Sequence, residues 1–161
     1  ESRRVLFRSM SAAPAPRWRG FADVLAALPG LPLQAPPDQA RALARALDHC
    51  AQGIGFSMTG FPQPRPAWFR ASVGPLVFAL FRLKGRMSHD LAAPIPGERP
   101  HDPADDPAAA LQRLRGAIVA FRAWPGPWAP HFTYGRLDRA GHERAHTLHL
   151  ADHLKDWLPA D

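Results

Sequence analysis

Proline is the feature that most constrains this chain, because 19 prolines occur in 161 residues and they are clustered. A proline lacks the backbone N–H and disfavours both helix interiors and central strands, so the clusters divide the sequence into segments. Five segments carry apolar residues at the three- and four-residue spacing of a helix, and no segment alternates as a half-buried strand does. The pattern predicts an all-α fold with proline-rich loops.

The five helices are predicted at about residues 18–28, 38–58, 68–83, 108–124 and 138–158. Asp38 and Asp138 are the candidate N-caps of the second and fifth helices. The third is apolar on most faces, which predicts a central position, and its Gly74-Pro75 pair predicts a kink or a broken first turn. One short and four substantial helices are most economically arranged as a four-helix bundle with an extra N-terminal helix.

The length of the chain fits one domain, which we expect to be a helical bundle over residues 18–158. Residues 1–9 resemble a non-native scar before a natural start at Met10, and residues 10–17 are expected to be disordered. No segment approaches the roughly 18 apolar residues of a membrane-spanning helix. The single cysteine, Cys50, cannot form an internal disulfide, so a cytoplasmic setting is expected.

The charge of the chain says little about its partners. The formal net charge is +6, but the arginines are spread over several predicted helices and form no evident stripe. No DNA-reading motif is present, so nucleic-acid binding is the weakest of the hypotheses. The loop over residues 86–107 is long enough for a functional lid or rim, and disordered cover is the alternative. Its two histidines, His89 and His101, are expected to be exposed.

The last predicted helix carries four histidines along one side. They are His142, His146, His149 and His153, which fall within an arc of roughly 60° at about 100° per residue. Side chains four residues apart lie about 5–6 Å from each other, which suits two imidazoles that share one metal ion. The first two and the last two histidines both have this spacing. Solvated polar residues on a surface helix are the alternative interpretation.

A metal site in a bundle needs a third ligand from a facing helix, and His49 on the second helix is the candidate. It lies beside Ala42, Ala46 and Gly53, whose small side chains would let another helix approach. Three neutral imidazoles without a thiolate suit zinc or nickel, and an open fourth position is typical of catalytic sites. A packed core histidine is the alternative for His49. Cys50 points about 100° away and is expected in the core.

Three segments together resemble a known superfamily. They are LDHCAQGIGFSMTGFP (residues 47–62), ASVGPLVFALFRLKGRM (residues 71–87) and PHFTYGRLDRAGHERAHTLHLADHL (residues 130–154). The chain is similar in these segments to the DinB/YfiT-like superfamily of four-helix bundles, and more closely to one of its branches of unknown function. With their spacing, the segments cover most of the chain from Trp18 onward.

The resemblance implies a metal site of three histidines. Members typically hold a divalent ion through one histidine on the second bundle helix, here His49, and a His-x-x-x-His pair on the last helix, here His149 and His153. His146 would then be an outer partner or an alternative ligand. His131 would lie near the mouth of the site.

The resemblance also implies a function class. Characterised relatives include metal-dependent hydrolases and thiol S-transferases that use low-molecular-weight thiols such as bacillithiol or mycothiol. We therefore expect a metal-binding protein that acts on a small molecule. Asp152, Asp156 or Glu143 would orient a ligand imidazole, but no acidic residue lies one turn from His49 to act as a general base, which counts against hydrolysis.

A non-catalytic bundle is the competing hypothesis. It would act as a binding or stress-response scaffold and contact a partner through the long proline loop or the turn from Trp124 to Trp128. These tryptophans, together with Trp68, would otherwise close the ends of the bundle. A homodimer built on the apolar third helix is also open.

Overall fold

The structure is a computed structural model that describes residues 14–102, 104 and 106–158. The predicted scar over residues 1–9 and the first part of the predicted disordered terminus, residues 10–13, lie outside this range. The described residues form six α-helices, one 3₁₀ turn and no β-strand. This part of the chain is therefore all-α, as the proline-separated pattern predicts. None of its helices is long and apolar enough to cross a bilayer.

The helices are α1 (Phe21–Ala27), α2 (Pro37–Thr59), α3 (Ala67–Ala71), α4 (Val73–Lys84), α5 (Pro107–Ala123) and α6 (Arg139–Leu154). The 3₁₀ turn, Leu28–Gly30, follows α1 directly. The observed α2 and α5 agree with their predicted bounds to within one residue at each end. The last helix is shorter than predicted, because residues 155–157 form turns rather than continuing α6.

The main core lies among α1, α2, α5 and α6. α2 packs against both α5 and α6, and α6 also contacts α1 and α4. Burial of apolar area, at about 25 cal/mol per Å², is the main force that holds these helices together. The buried side chains include Phe21, Val24, Leu43, Leu47, Ile54, Leu114, Ile118, Phe121, Leu150 and Leu154. This packing places the middle of α2 against the C-terminal half of α6, while the four-helix-bundle type stays a prediction.

Cys50 lies in this core, as predicted. Its side chain is 1% exposed and packs among the apolar residues of the main core. Burial, followed by the nearby negative charge of Glu98, raises the pKa of the Cys50 thiol well above its ordinary value. The residue is therefore a neutral core side chain rather than a thiolate.

The predicted N-cap is correct for α6 and wrong for α2. Asp138 caps α6, since its Oδ1 accepts a hydrogen bond of 2.7 Å from the backbone N–H of Gly141. Asp38 does not cap α2. The N-cap is Pro36, because Pro37 already has the φ of a first helical residue and needs no N–H partner there. Asp38 instead lies in the first turn and pairs with Arg41.

The third predicted helix is two helices, and the break lies earlier than predicted. Ser72 separates α3 from α4 with φ −127° and ψ −76°. Its hydroxyl donates a 2.6 Å hydrogen bond to the carbonyl of Trp68. Pro75 lies inside the first turn of α4, where the missing N–H costs nothing, so the expected break at Gly74-Pro75 does not occur.

The predicted central position of this segment is wrong. Leu76 and Leu83 on α4 are 72% and 85% exposed. Among the residues of α4 only Gly74 and Phe78 are buried, and Phe78 belongs to a small separate cluster with Leu148 of α6. α2 occupies the central position, because it packs against both α5 and α6. α4 contacts α3 and α6 and lies at the edge of the helical packing.

Two glycines allow the corner between α3 and α4 to dock on the turn that precedes α6. A Cβ on Gly74 would lie 1.9 Å from the carbonyl oxygen of Thr133. Gly135 has φ +76°, and a Cβ there would lie 2.3 Å from the carbonyl oxygen of Arg70. This close backbone contact holds the turn that carries His131.

The long loop between α4 and α5 is packed rather than disordered over its described residues. Met87 and Ile95 are 6% and 5% exposed. Ile95 lies over Gly53, where a Cβ would approach its Cδ1 to 3.0 Å. Gly53 of α2 therefore allows the close approach of this loop rather than of another helix. The loop forms a rim beside α2 and α6.

Candidate metal centre

α2 presents His49 to the interior from the middle of its length. The residue is 8% exposed and lies next to the apolar core. Its Nδ1 lies 2.7 Å from Oε2 of Glu98 on the long loop. A carboxylate accepts hydrogen bonds, so His49 donates through Nδ1 and keeps the lone pair of Nε2 available. That Nε2 faces α6.

α6 presents His149 and His153 to the same point, one helical turn apart. The Nε2 atoms of His49 and His149 lie 3.2 Å apart. The ring centroid of His153 lies 4.6 Å from that of His49 and 4.6 Å from that of His149. One ligand nitrogen from each of the three side chains lies within 4.8 Å of the other two. The structure therefore brings together the three histidines that the superfamily resemblance implies as ligands, whereas helical spacing alone left the pair His142 and His146 equally open.

The three-histidine cluster can bind a metal ion. Two nitrogens that each bond one zinc ion at about 2.0–2.1 Å in tetrahedral geometry are about 3.3 Å apart, close to the distance between His49 and His149. Burial and the neighbouring imidazoles hold the pKa of His149 well below its ordinary value and lower that of His153 to about 3. Both rings are thus neutral at physiological pH, which is the state that binds a metal.

Glu98 is a residue that the sequence analysis missed. Its Oε2 contacts His49 and also accepts a 3.2 Å hydrogen bond from the backbone N–H of Ile95. It lies 49 residues after His49 in a segment without helical spacing, so no local pattern pointed to it. The loop thus supplies a carboxylate that contacts Nδ1 of His49, which is a different role from the general base expected one helical turn away.

His89 is the second missed residue, and its predicted exposure is wrong. Its Nε2 lies 3.2 Å from Nε2 of His153, and its ring centroid lies 4.9 Å from that of His149. Its Nδ1 lies 2.8 Å from Oδ2 of Asp152. His101 is also only partly exposed, although it lies outside this cluster. Loop burial against α2 and α6, which no sequence pattern encodes, brings His89 inward.

Of the three acidic residues expected to orient a ligand, Asp152 lies at the cluster. Burial acts to raise the pKa of Asp152, but contacts from His89 and Lys155 hold it below its ordinary value. Glu143 instead accepts a 2.9 Å hydrogen bond from the backbone N–H of Phe21. Asp156 is exposed in the turn that follows α6.

The other two histidines of α6 belong to a second buried group. Nε2 of His142 donates to the carbonyl of Ala129 at 3.0 Å, and Nε2 of His146 lies 3.1 Å from the hydroxyl of Ser57. The four histidines therefore do not share one environment. His146 and His131 both line the cavity described next, and their chemical roles stay predictions.

A cavity of about 390 Å³ opens on the cluster through His49, His89 and His149. Its walls are mainly apolar and come from α4, the segment between α2 and α3, the long loop and the turn before α6. They include Phe61, Val77, Phe81, Met87, Ile95, Phe132 and Tyr134. Such a cavity, with a few convergent polar groups at one end, is typical of small-molecule sites.

Comparison with known proteins identifies the family. Residues 37–160 match the family described as a protein of unknown function, DUF1569. The chain belongs to this family. The three histidines of the cluster and the neighbouring His89 all lie within the matched residues. No curated protein and no solved structure matches the chain.

Proposed function

We propose that this DUF1569 protein is a divalent-metal-dependent enzyme in which His49, His149 and His153 hold the ion. The observation that carries the proposal is the mutual approach of their ligand nitrogens to within 4.8 Å. An all-imidazole donor set fits zinc or nickel best. Three protein ligands leave room for a further one, which is the pattern of catalytic rather than structural zinc sites.

The residues around the cluster support a site that prepares an ion for chemistry. Glu98 orients His49 through a 2.7 Å contact, as the outer partners of metal-bound histidines do. A bound divalent ion lowers the pKa of an attached water or thiol toward neutrality. The proposed reaction is therefore hydrolysis or transfer of a low-molecular-weight thiol, the two activities that the superfamily resemblance implies.

The cavity supports a small-molecule substrate. Its volume of about 390 Å³ accommodates a compact organic molecule, and its aromatic walls favour an apolar group. His131 and His146 line the cavity as neutral side chains, since burial first and nearby imidazoles second lower the pKa of both. Neutral imidazoles can accept or donate a hydrogen bond to a substrate without adding charge.

Elemental analysis of untagged protein is the first test. The parent, reconstituted with zinc or nickel and then desalted, is expected to carry about one ion per chain. His49→Ala and His153→Ala are expected to lose it. His101→Ala, which removes a loop histidine outside the cluster, is the matched control and keeps the ion. A parent without metal after reconstitution would contradict the proposal.

A second assay separates the two reactions. The loaded protein is incubated with an activated ester, or with an aromatic halide together with a small thiol. Thiol transfer gives a thioether only when both partners are present, whereas hydrolysis releases the alcohol or phenol without thiol. Loss of either activity in His49→Ala assigns it to the metal site.

An interaction protein is the second candidate, and the exposed side chains of α4 favour it. Leu76, Leu80 and Leu83 of α4 are 72%, 48% and 85% exposed. Trp68 on the adjoining α3 is 67% exposed. Exposed apolar patches often mark protein contacts. The turn from Trp124 to Trp128 is less suited than α4 to contact another protein, because Trp128 packs against Phe121 of the same chain with ring centroids 4.5 Å apart.

A homodimer through α4 is the form in which this second candidate is tested. Under it, the parent sediments as a dimer and a Leu76→Glu/Leu83→Glu variant sediments as a monomer. A parent that is monomeric at high micromolar concentration would remove the homodimer.

A further inference from the structure

His89 is the member of the histidine cluster that the proposed three-ligand site leaves unused. It comes from the long loop, whereas His49, His149 and His153 come from helices. Its ring centroid lies 4.9 Å from that of His149 and 5.0 Å from that of His153. The corresponding distances among the three helical imidazoles are 4.6–4.9 Å, so His89 lies at the border of the group whose ligand nitrogens are all within 4.8 Å of one another.

The nitrogen of His89 that faces the cluster is Nε2. It lies 3.2 Å from Nε2 of His153. Two imidazole nitrogens that share an ion lie at about this separation, as the helical pair His49 and His149 also does. His89 therefore approaches His153 in the way that His49 approaches His149.

Asp152 lies on the other side of the His89 ring. Its Oδ2 lies 2.8 Å from Nδ1 of His89 and accepts a 3.3 Å hydrogen bond from the backbone N–H of the same residue. Its Oδ1 accepts a 2.7 Å hydrogen bond from Nζ of Lys155. The carboxylate is 2% exposed, so it is a buried, fixed acceptor. It lies beside Nδ1 of His89 at ion-pair distance, although Nδ1 has no partner with hydrogen-bond geometry among the described residues, and Nε2 of the ring faces the cluster.

A carboxylate lies beside Nδ1 of two histidines at this site. Glu98 from the loop is hydrogen-bonded to His49 on α2, and Asp152 on α6 lies at ion-pair distance from His89 on the loop. Carboxylate partners of this kind accompany histidines that bind metals. The two pairs also tie the loop to both helices, so the loop reaches the cluster as a packed segment.

We propose that His89 is an exchangeable fourth ligand of the ion, which the loop supplies when the cavity holds no substrate. This inference rests on the proposed metal site. His89 is the ligand suited to exchange because it lies on a loop and lines the cavity, whereas helical positions hold the other three. A molecule that reaches the ion through the cavity takes the place of this imidazole.

Cobalt(II) is the probe that tests the inference, since its visible absorption reports the ligands directly. The parent, His89→Ala and His101→Ala are titrated with Co²⁺, and each loaded protein is then titrated with azide. Circular dichroism checks that each variant keeps the helical fold. His89→Gln is a second variant that retains a polar side chain beside Asp152.

The expected result is specific to His89. Both His89 variants still bind about one Co²⁺, but with an affinity lower by about tenfold or more, the smallest effect usual for loss of even an outer partner of a metal site. Azide then changes their spectra at lower concentration than it changes that of the parent. His101→Ala behaves as the parent does.

Two other results would overturn the inference in different ways. Equal Co²⁺ affinity and equal azide response in the parent and the His89 variants would reject the fourth ligand and leave the three-histidine site standing. Absence of Co²⁺ binding in the parent itself would reject the proposed metal function, and the inference with it.

Discussion

Nδ1 of His49 and Oε2 of Glu98 lie 2.7 Å apart, which joins the middle of α2 to the loop that precedes α5. The pair is largely buried, with side-chain exposures of 9% and 17%. A loop residue thereby sets the orientation of a helical residue. The first prediction depends on this contact.

Glu98→Gln is expected to weaken zinc binding about 10–100-fold, because the neutral amide orients His49 less firmly and lowers its basicity. Competition with a chromophoric chelator measures the affinity. Asp102→Asn is the matched control, since it removes a carboxylate from the same loop whose hydrogen bond within the described residues comes from the backbone N–H of Ala104. Equal losses in both variants would point to a general effect of charge and contradict the orienting role.

Ser57→Ala is expected to destabilise the protein by about 1–3 kcal/mol. The hydroxyl is fully buried, donates to the carbonyl of Ile54 at 2.6 Å and lies 3.1 Å from Nε2 of His146. Its removal leaves the imidazole N–H of His146 buried without an acceptor. Urea unfolding measures the loss.

Thr59→Ala is the control for this prediction. Its hydroxyl bonds the carbonyl of Gly55 on the same helix, but the residue is exposed. We expect a change within about 0.5 kcal/mol. A similar loss in both variants would mean that the contact with His146 contributes nothing.

Gly74→Ala is expected to destabilise the fold by about 1–3 kcal/mol or more, because its Cβ would lie 1.9 Å from the carbonyl oxygen of Thr133. Gly116→Ala on α5 is the matched substitution, with nothing within 4 Å of the added carbon. It is expected to stabilise by about 0.5–1 kcal/mol through helix propensity. Thermal unfolding that ranks the two variants in the opposite order would reject the close docking of α4.

The metal-free protein is expected to lose stability on acidification. Burial, opposed by weaker favourable contacts, lowers the pKa of His142 from 6.5 to about 4, and burial lowers that of His146 to about 3. Below pH 6.5 the unfolded chain therefore binds protons that the folded chain does not, so unfolding becomes easier.

Urea midpoints measured from pH 7.5 down to pH 4 test this expectation. The free energy of unfolding should fall through this range, by up to about 1.4 kcal/mol per pH unit for each histidine. His142→Gln should reduce the slope. A stability that is constant down to pH 5 would contradict the buried neutral state of these side chains.

Much of the fold was predictable because helical spacing is a local property. The apolar positions of α2 and α5 gave bounds correct to within one residue at each end, and the Asp138 cap was found from its own neighbours. The predicted central position of α4 was wrong because burial of a helix is not a local property. An apolar sequence shows that a helix can be buried, but the helices that compete for the centre decide whether it is.

The sequence by itself determined which residues share a helix face, so it placed His149 and His153 one turn apart and set Cys50 aside from them. Only the tertiary structure decided that His142 contacts the carbonyl of Ala129 and that His146 contacts the hydroxyl of Ser57. It also decided that Glu98 and His89 lie beside the three-histidine cluster. The contact of His89 with His153 spans 64 positions. Such contacts arise from the packing of the loop on α2 and α6, and no periodicity along the chain encodes them.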